Sequence, residues 1–206
     1  MSNVSDEHRS YNPAKAQRLD NVQRLENQVG RDLLAELLAL KGNEDLADLG
    51  SGTGFYTNIV SSMTSGTVYA VEIEPEMIDH YRQKGVPTNV RIIEEDIRRL
   101  ALPERSIDVA YSIVTAHETN GDFNFPSLLK ALRAPGRLVI VDWRANPDGW
   151  ESGPPVHERI ETIEVVNSLR RYFEEVEYGD TGHFLFWAVA SGLKQTAELP
   201  GDAPTA

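Results

Sequence analysis

Seven consecutive residues, Asp48-Leu49-Gly50-Ser51-Gly52-Thr53-Gly54, give the strongest chemical signal in the chain. They join an apolar, strand-like run to a helical one. Alternating glycines let a backbone pass close beneath a ligand where a Cβ would collide. A tight strand-to-helix turn needs only one glycine. Three, with an acid at the strand end, read as a seat for a nucleotide or nucleoside. The spacing is Gly-x-Gly-x-Gly, and Phe55 stands where a dinucleotide fingerprint has its third glycine. The Gly-Lys-Ser/Thr of a P-loop is absent. Neither a pyrophosphate nor a triphosphate cradle is well matched.

The elements that must position this loop follow one alternation of short apolar runs and helical runs. Strands are expected at 45–49, 67–73, 90–93, 107–114 and 137–142, and helices at 55–63, 75–84, 125–133 and 156–170. A helical stretch from Pro13 to about Leu40, broken near Asp20, precedes them, with Leu33, Leu34, Leu37 and Leu38 on one face. Runs 173–178 and 183–190 are linked by Gly179-Asp180-Thr181-Gly182, which favours a hairpin and an antiparallel final strand. The expected fold is α/β, a seven-stranded mostly parallel sheet with helices on both faces. Residues 1–12 read as a mobile N-terminus, 13–193 as one domain and 194–206 as a loose tail.

Composition narrows the chemistry. The 206 residues carry a net charge of −12 and no cysteine. Disulfides, zinc–thiolate sites and thiolate nucleophiles are excluded. A chain this acidic repels phosphate backbones, and the pairs Arg98-Arg99 and Arg170-Arg171 are too small to reverse that, so no nucleic-acid partner is expected. The polar first twenty residues lack a signal-peptide core, and no apolar run is long enough to span a bilayer. A cytoplasmic monomer or homodimer with no membrane contact is the expectation. The five histidines show no i, i+4 pairing, and no metal site is expected.

With these motifs in view, the chain resembles the class I S-adenosylmethionine-dependent methyltransferases, within the ubiquinone-biosynthesis-like (type 11) group. The glycine loop is similar to their motif I. Val71-Glu72-Ile73-Glu74-Pro75 resembles the second-strand motif, Glu95-Asp96-Ile97 the third, and Leu132-Arg133-Ala134-Pro135-Gly136-Arg137-Leu138 the turn before strand five. The resemblance implies a Rossmann-like fold with S-adenosylmethionine held by Asp48, Gly50, Ser51, Gly52, Gly54, Glu72, Ile73, Asp96 and Ile97. Glu72 would accept from both ribose hydroxyls. Asp96 would accept from the adenine amine while the Ile97 N–H donates to the ring; equally, Asp96 would cap 97–100. Asp48 would lie under the methionine end, or merely hold the loop. Two departures stand out. Ala134-Pro135-Gly136-Arg137 lacks the family's second glycine, and Glu118 replaces the second histidine of a hydrophobic-His-His segment.

Methyl transfer requires alignment, and a base only where the nucleophile must lose a proton. Candidate acid–base groups are His117, Glu118, Asp142 and Arg144, at the ends of strands four and five, with His117 and Asp142 the catalytic candidates. The plainer reading of His117 is a hydrogen-bonded loop residue. Residues 144–155 are long for a strand-to-helix link and read as a binding loop, and Gly153-Pro154-Pro155 with Arg159 adds to the family likeness. The stretch 11–24, with Tyr11 and Arg18, either folds over the cofactor or packs on the sheet edge. The expected function is methyl transfer to a small-molecule acceptor. The alternatives are a cofactor-binding protein without methyl transfer and an NAD-dependent oxidoreductase of similar fold.

Overall fold

The computed structural model describes residues 13–121, 123, 125–145, 153–182 and 184–194. Three helices open it: α1 (Pro13–Leu19), α2 (Arg24–Asn27) and α3 (Arg31–Leu38). Then β1 (Leu46–Leu49), α4 (Phe55–Ser61), β2 (Val68–Glu72), α5 (Pro75–Lys84), β3 (Val90–Glu94) and β4 (Ile107–Ile113) follow. The chain ends through α6 (Phe125–Ala131), β5 (Leu132–Trp143), α7 (Thr162–Leu169), β6 (Phe173–Thr181) and β7 (Leu185–Leu193). The sheet order is β3-β2-β1-β4-β5-β7-β6. The pairs from β3 to β5 are parallel, and β7 runs antiparallel between β5 and β6. The order reverses direction between β1 and β4, and ligands of such sheets sit outside the strands' carboxyl ends at that point.

The period-two rule for strands decides which helices cover which face. Leu46, Val68, Ala70, Val109, Tyr111, Val139 and Val141 pack with Leu34, Leu37 and Leu38 of α3 and Tyr56, Ile59 and Val60 of α4. Their neighbours Ala47, Leu49, Val71, Ala110, Leu138 and Ile140 face Leu128 of α6 and Val165 and Leu169 of α7. Asp48 shares the α4 face with Leu46, so a strand too buried to alternate in polarity still aims its one acid at a chosen helix.

Three expected elements differ. The long N-terminal helix is three short ones, because Asp20 and Asn21 turn the chain and Gly30, with extended backbone, restarts it. The helix at 156–170 divides into a 3₁₀ turn, Val156–Glu158, and α7. β5 begins at Leu132 rather than 137; the turn lacking the second glycine is absorbed as a register shift opposite Ile107 and Val109. At the strands' amino ends Arg133 bridges Asp45 and Asp108, 2.9 and 2.8 Å away. No described helix is long and apolar enough to cross a membrane. The expectations for 1–12 and Tyr11, for 195–206 and for most of the 144–155 link lie outside the described residues.

Candidate functional site

The glycine loop leaves β1 beside β2 and enters α4. Gly50 and Ser51 donate backbone N–H groups to Val71 O at 3.0 and 2.9 Å, fixing the loop to its neighbour strand. Two of its glycines answer to the protein itself. A Cβ on Gly50 would lie 2.1 Å from Thr115 Cγ2, and one on Gly54 2.3 Å from the Tyr81 ring. Gly52 differs: a Cβ there would only touch Leu19 Cδ1, in ordinary contact at 3.7 Å, so its φ of +54° rather than crowding is what favours glycine. Ser51 Oγ is buried with no hydrogen-bond partner among the described residues, and Ser51 lines the same cavity as Gly52.

Glu72, at the end of β2, organises the loop. One carboxylate oxygen accepts from Gly52 N at 2.7 Å; the other accepts from Ile73 N and Glu74 N at 2.8 and 2.9 Å. Burial pushes its pKa up, the backbone donors oppose that, and the charge of Glu118 adds to it. Asp48 is 2% exposed and accepts from Thr57 Oγ1 at 2.6 Å. Burial, with the Glu72 charge behind it, lifts its carboxyl to about 7.

Two joined lobes open at this point. A larger one of about 380 Å³ is lined by Glu72, Ile73, Asp96 and Ile97. A smaller one of about 70 Å³ is lined by Asp48, Ser51, Gly52 and Arg24. Gly50, Glu72, Glu74, Thr115 and Glu118 border both. Ile73 is 52% exposed, an apolar side chain held open in the larger lobe. Asp96 accepts from Arg98 N at 2.9 Å and from its guanidinium at 2.6 Å, which holds its carboxyl below the usual range. It therefore caps the 97–99 turn, where no regular helix forms.

The catalytic candidates also meet. Asp142, fully buried at the end of β5, accepts from His117 Nδ1 at 2.7 Å, from His117 N at 3.0 Å and from Trp143 N at 2.6 Å. Burial opposes the charged imidazole, but the bond and charge of Asp142 outweigh it and raise the His117 pKa. The turn that makes this possible starts at Val114, whose φ of +60° is costly for a β-branched residue. It aims Thr115 Oγ1 at Gly50 O, 3.0 Å away, and returns His117 to Asp142. Arg144 is not in this cluster; it pairs with Asp180 at 2.7 Å. Gly153 lies against the Trp143 ring, with Arg159 5.7 Å above it. Among the described residues no group of three or more His, Asp or Glu side chains is placed to hold a metal ion.

The family described as a methyltransferase domain matches residues 47–140. A solved S-adenosylmethionine-dependent methyltransferase from Aquifex aeolicus superposes with a TM-score of 0.76 and 27% identity, over 89% of this chain and 100% of that one. Over these stretches the chain is similar to class I S-adenosylmethionine-dependent methyltransferases of the type 11 group. The ubiquinone/menaquinone biosynthesis C-methyltransferase UbiE of Pseudomonas paraeruginosa is 28% identical over 115 residues, 52% of this chain and 45% of that protein. Its Stutzerimonas stutzeri counterpart is 27% identical over the same shares. The chain thus spans less than half the length of these relatives. A further S-adenosylmethionine-dependent methyltransferase structure, from Mesorhizobium loti, shares the fold with a TM-score of 0.62 and 20% identity, covering 81% of this chain and 99% of that one.

The cavity fits this cofactor on its own evidence. The Gly52 backbone lining the lobe, the Ser51 hydroxyl without a partner among the described residues and the acids at 48 and 72 suit a nucleoside carrying positive charge. The sequence reading offered the stretch 11–24 as a cover for the cofactor but did not single out Leu19 or Arg24. Leu19 packs against Gly52, and Arg24 lines the smaller lobe. Neither stands in a recognisable motif, and only the folded chain brings them to a loop some thirty residues away. Thr115 was also passed over, although it directly precedes the Ala116-His117 pair.

Proposed function

We infer that this methyltransferase moves a methyl group to a small-molecule acceptor that must give up a proton, of the phenol or quinol class. The observation that carries this is the His117–Asp142 pair, held in the turn whose flanking residues Thr115 and Glu118 line both lobes. The bound cofactor supplies a methyl already activated by its sulfonium leaving group. Gly52, Ser51, Glu72, Ile73, Asp96 and Ile97 would hold the cofactor's nucleoside, and Asp48 its positively charged methionine end. With Nδ1–H donated to Asp142, the His117 ring is left with Nε2 to take a proton, and its pKa, raised above the ordinary imidazole value, strengthens it as a base. Asp142 is a positioning residue: it fixes the ring's tautomer and compensates the charge that forms. The raised acidity of the wall, with Glu74, Glu95, Asp96 and Glu118 at its rim, speaks against a polyanionic acceptor. The names of the UbiE relatives point to quinone-related carbon acceptors, where loss of a ring hydroxyl proton raises carbon nucleophilicity.

Glu118 borders both lobes and is the competing base. Release of S-adenosylhomocysteine, followed across phenol, quinol, amine and thiol acceptors, tests the assignment. With a hydroxylated aromatic acceptor, His117→Gln lowers kcat by about 10²–10⁴-fold at unchanged cofactor affinity. Full activity of His117→Gln with loss in Glu118→Gln would transfer the role to Glu118. Cofactor binding without turnover of any acceptor would favour the non-transferring alternative.

A further inference from the structure

The smaller lobe contains a charge that the nucleoside contacts do not use. Arg24 lines it together with Asp48, Ser51, Phe55 and Tyr56. Its guanidinium lies 4.6 Å from the centroid of the Tyr56 ring and 5.3 Å from that of Phe55. Nη1 donates to Leu19 O at 2.7 Å and Nε to Gln28 Oε1 at 2.8 Å. These are neutral acceptors. Among the described residues no carboxylate pairs with Arg24, and Nη2 has no partner. Its nearest acid, Asp20, is committed elsewhere: it accepts from Thr53 Oγ1 and His80 Nε2, both at 2.7 Å, and pairs with Lys84. Burial lowers the Arg24 pKa, so the protein holds this cation at a cost.

Among the described residues every other charged group on that lobe is an acid: Asp48, Glu72, Glu74 and Glu118. Those four suit a sulfonium and an ammonium. They oppose a carboxylate, and the cofactor's methionine end carries one. The larger lobe takes the adenosine and Glu72 borders both lobes, so the methionine chain enters the smaller lobe, which Arg24 lines. The planar fork of a guanidinium, set beside two aromatic rings, matches a carboxylate with two parallel hydrogen bonds.

We propose that Arg24 is the receptor for the cofactor's carboxylate, delivered to the lobe by an N-terminal segment that Asp20 clasps to Thr53, His80 and Lys84. The assignment rests on the cofactor reading above and adds a residue that the glycine loop and strand-end acids do not provide. It also gives the N-terminal helices a role: a cofactor lacking the carboxylate leaves the guanidinium without a counter-charge.

The test is isothermal titration of the full chain with S-adenosylmethionine and with its decarboxylated form, which differs only in that group. Wild-type protein is expected to prefer the carboxylate form by ~10–100-fold, the range of a charge-assisted pair. In Arg24→Gln that preference falls to within threefold, while affinity for the decarboxylated form is retained, which also shows that the variant is folded. Arg24→Lys keeps part of the preference. An Arg24→Gln protein that discriminates as wild type does, or that loses both ligands equally, would overturn the proposal. Failure of the wild type to bind either ligand would instead remove the cofactor reading beneath it.

Discussion

At the scale of single residues, the site is a set of acids kept buried by backbone donors. Glu72 is the clearest case, because the same carboxylate that faces the cavity also bonds Gly52 N. Glu72→Ala is therefore expected to weaken cofactor binding by about 1–3 kcal/mol, the worth of its charge-assisted bonds. Calorimetry showing unchanged affinity would contradict the ribose role. Asp48 gives a pH signature. Its folded pKa, about 7, lies above the ordinary 3.8, so the native state favours the neutral acid. That contribution is complete below about pH 4 and is lost as the pH rises through 7. Asp48→Asn should then gain on wild type between pH 5 and 8, by ~2–4 kcal/mol at 1.36 kcal/mol per pK unit. Thermal melts at the two pH values check this; an unchanged difference refutes it. For His117 the sign is fixed by a raised folded value, so kcat/KM should fall as the pH drops through a point above ordinary imidazole, and Asp142→Asn should move that limb lower.

At the scale of elements, loop, strand ends and turn are mutually dependent. Gly54 faces the Tyr81 ring with φ at +74°, so Gly54→Ala meets both a clash and a strained backbone. A loss of about 2–4 kcal/mol is expected, with a fall of roughly 5–15 °C in Tm. A native melting point would show that the loop yields there more easily than its packing indicates. The elements themselves were largely legible in the sequence. Pro75 and Gly85 bound α5 as helix-start and helix-end residues do, and the Gly-Asp link marked the β6–β7 hairpin. What was not legible depended on contacts across the sheet. Nothing local to Asp142 says that it will receive both the backbone and the ring of His117, because the two are 25 residues apart and meet only when β4 and β5 pair. Arg24 ended the 11–24 stretch that the sequence offered as a cofactor cover, but nothing singled it out: four-residue α2 has no periodicity, and its arginine acquires meaning only against Phe55 and Tyr56.

At the scale of the whole molecule, the sheet order places every one of these groups at one end of the strands, beside the reversal between β1 and β4. The helices cover both faces and leave that end as the opening. The glycine loop lies at its centre, between Arg24 on one side and Asp96 on the other. The central claim is that an adenosyl sulfonium occupies this opening over the Gly52 backbone. Isothermal titration with S-adenosylmethionine and NAD, on wild type and on Gly52→Val, tests it most directly. One-to-one binding of S-adenosylmethionine, none of NAD, and loss of the former in a Gly52→Val protein with native far-UV circular dichroism are the predicted results. Undiminished binding by Gly52→Val, or a preference for NAD, would contradict it.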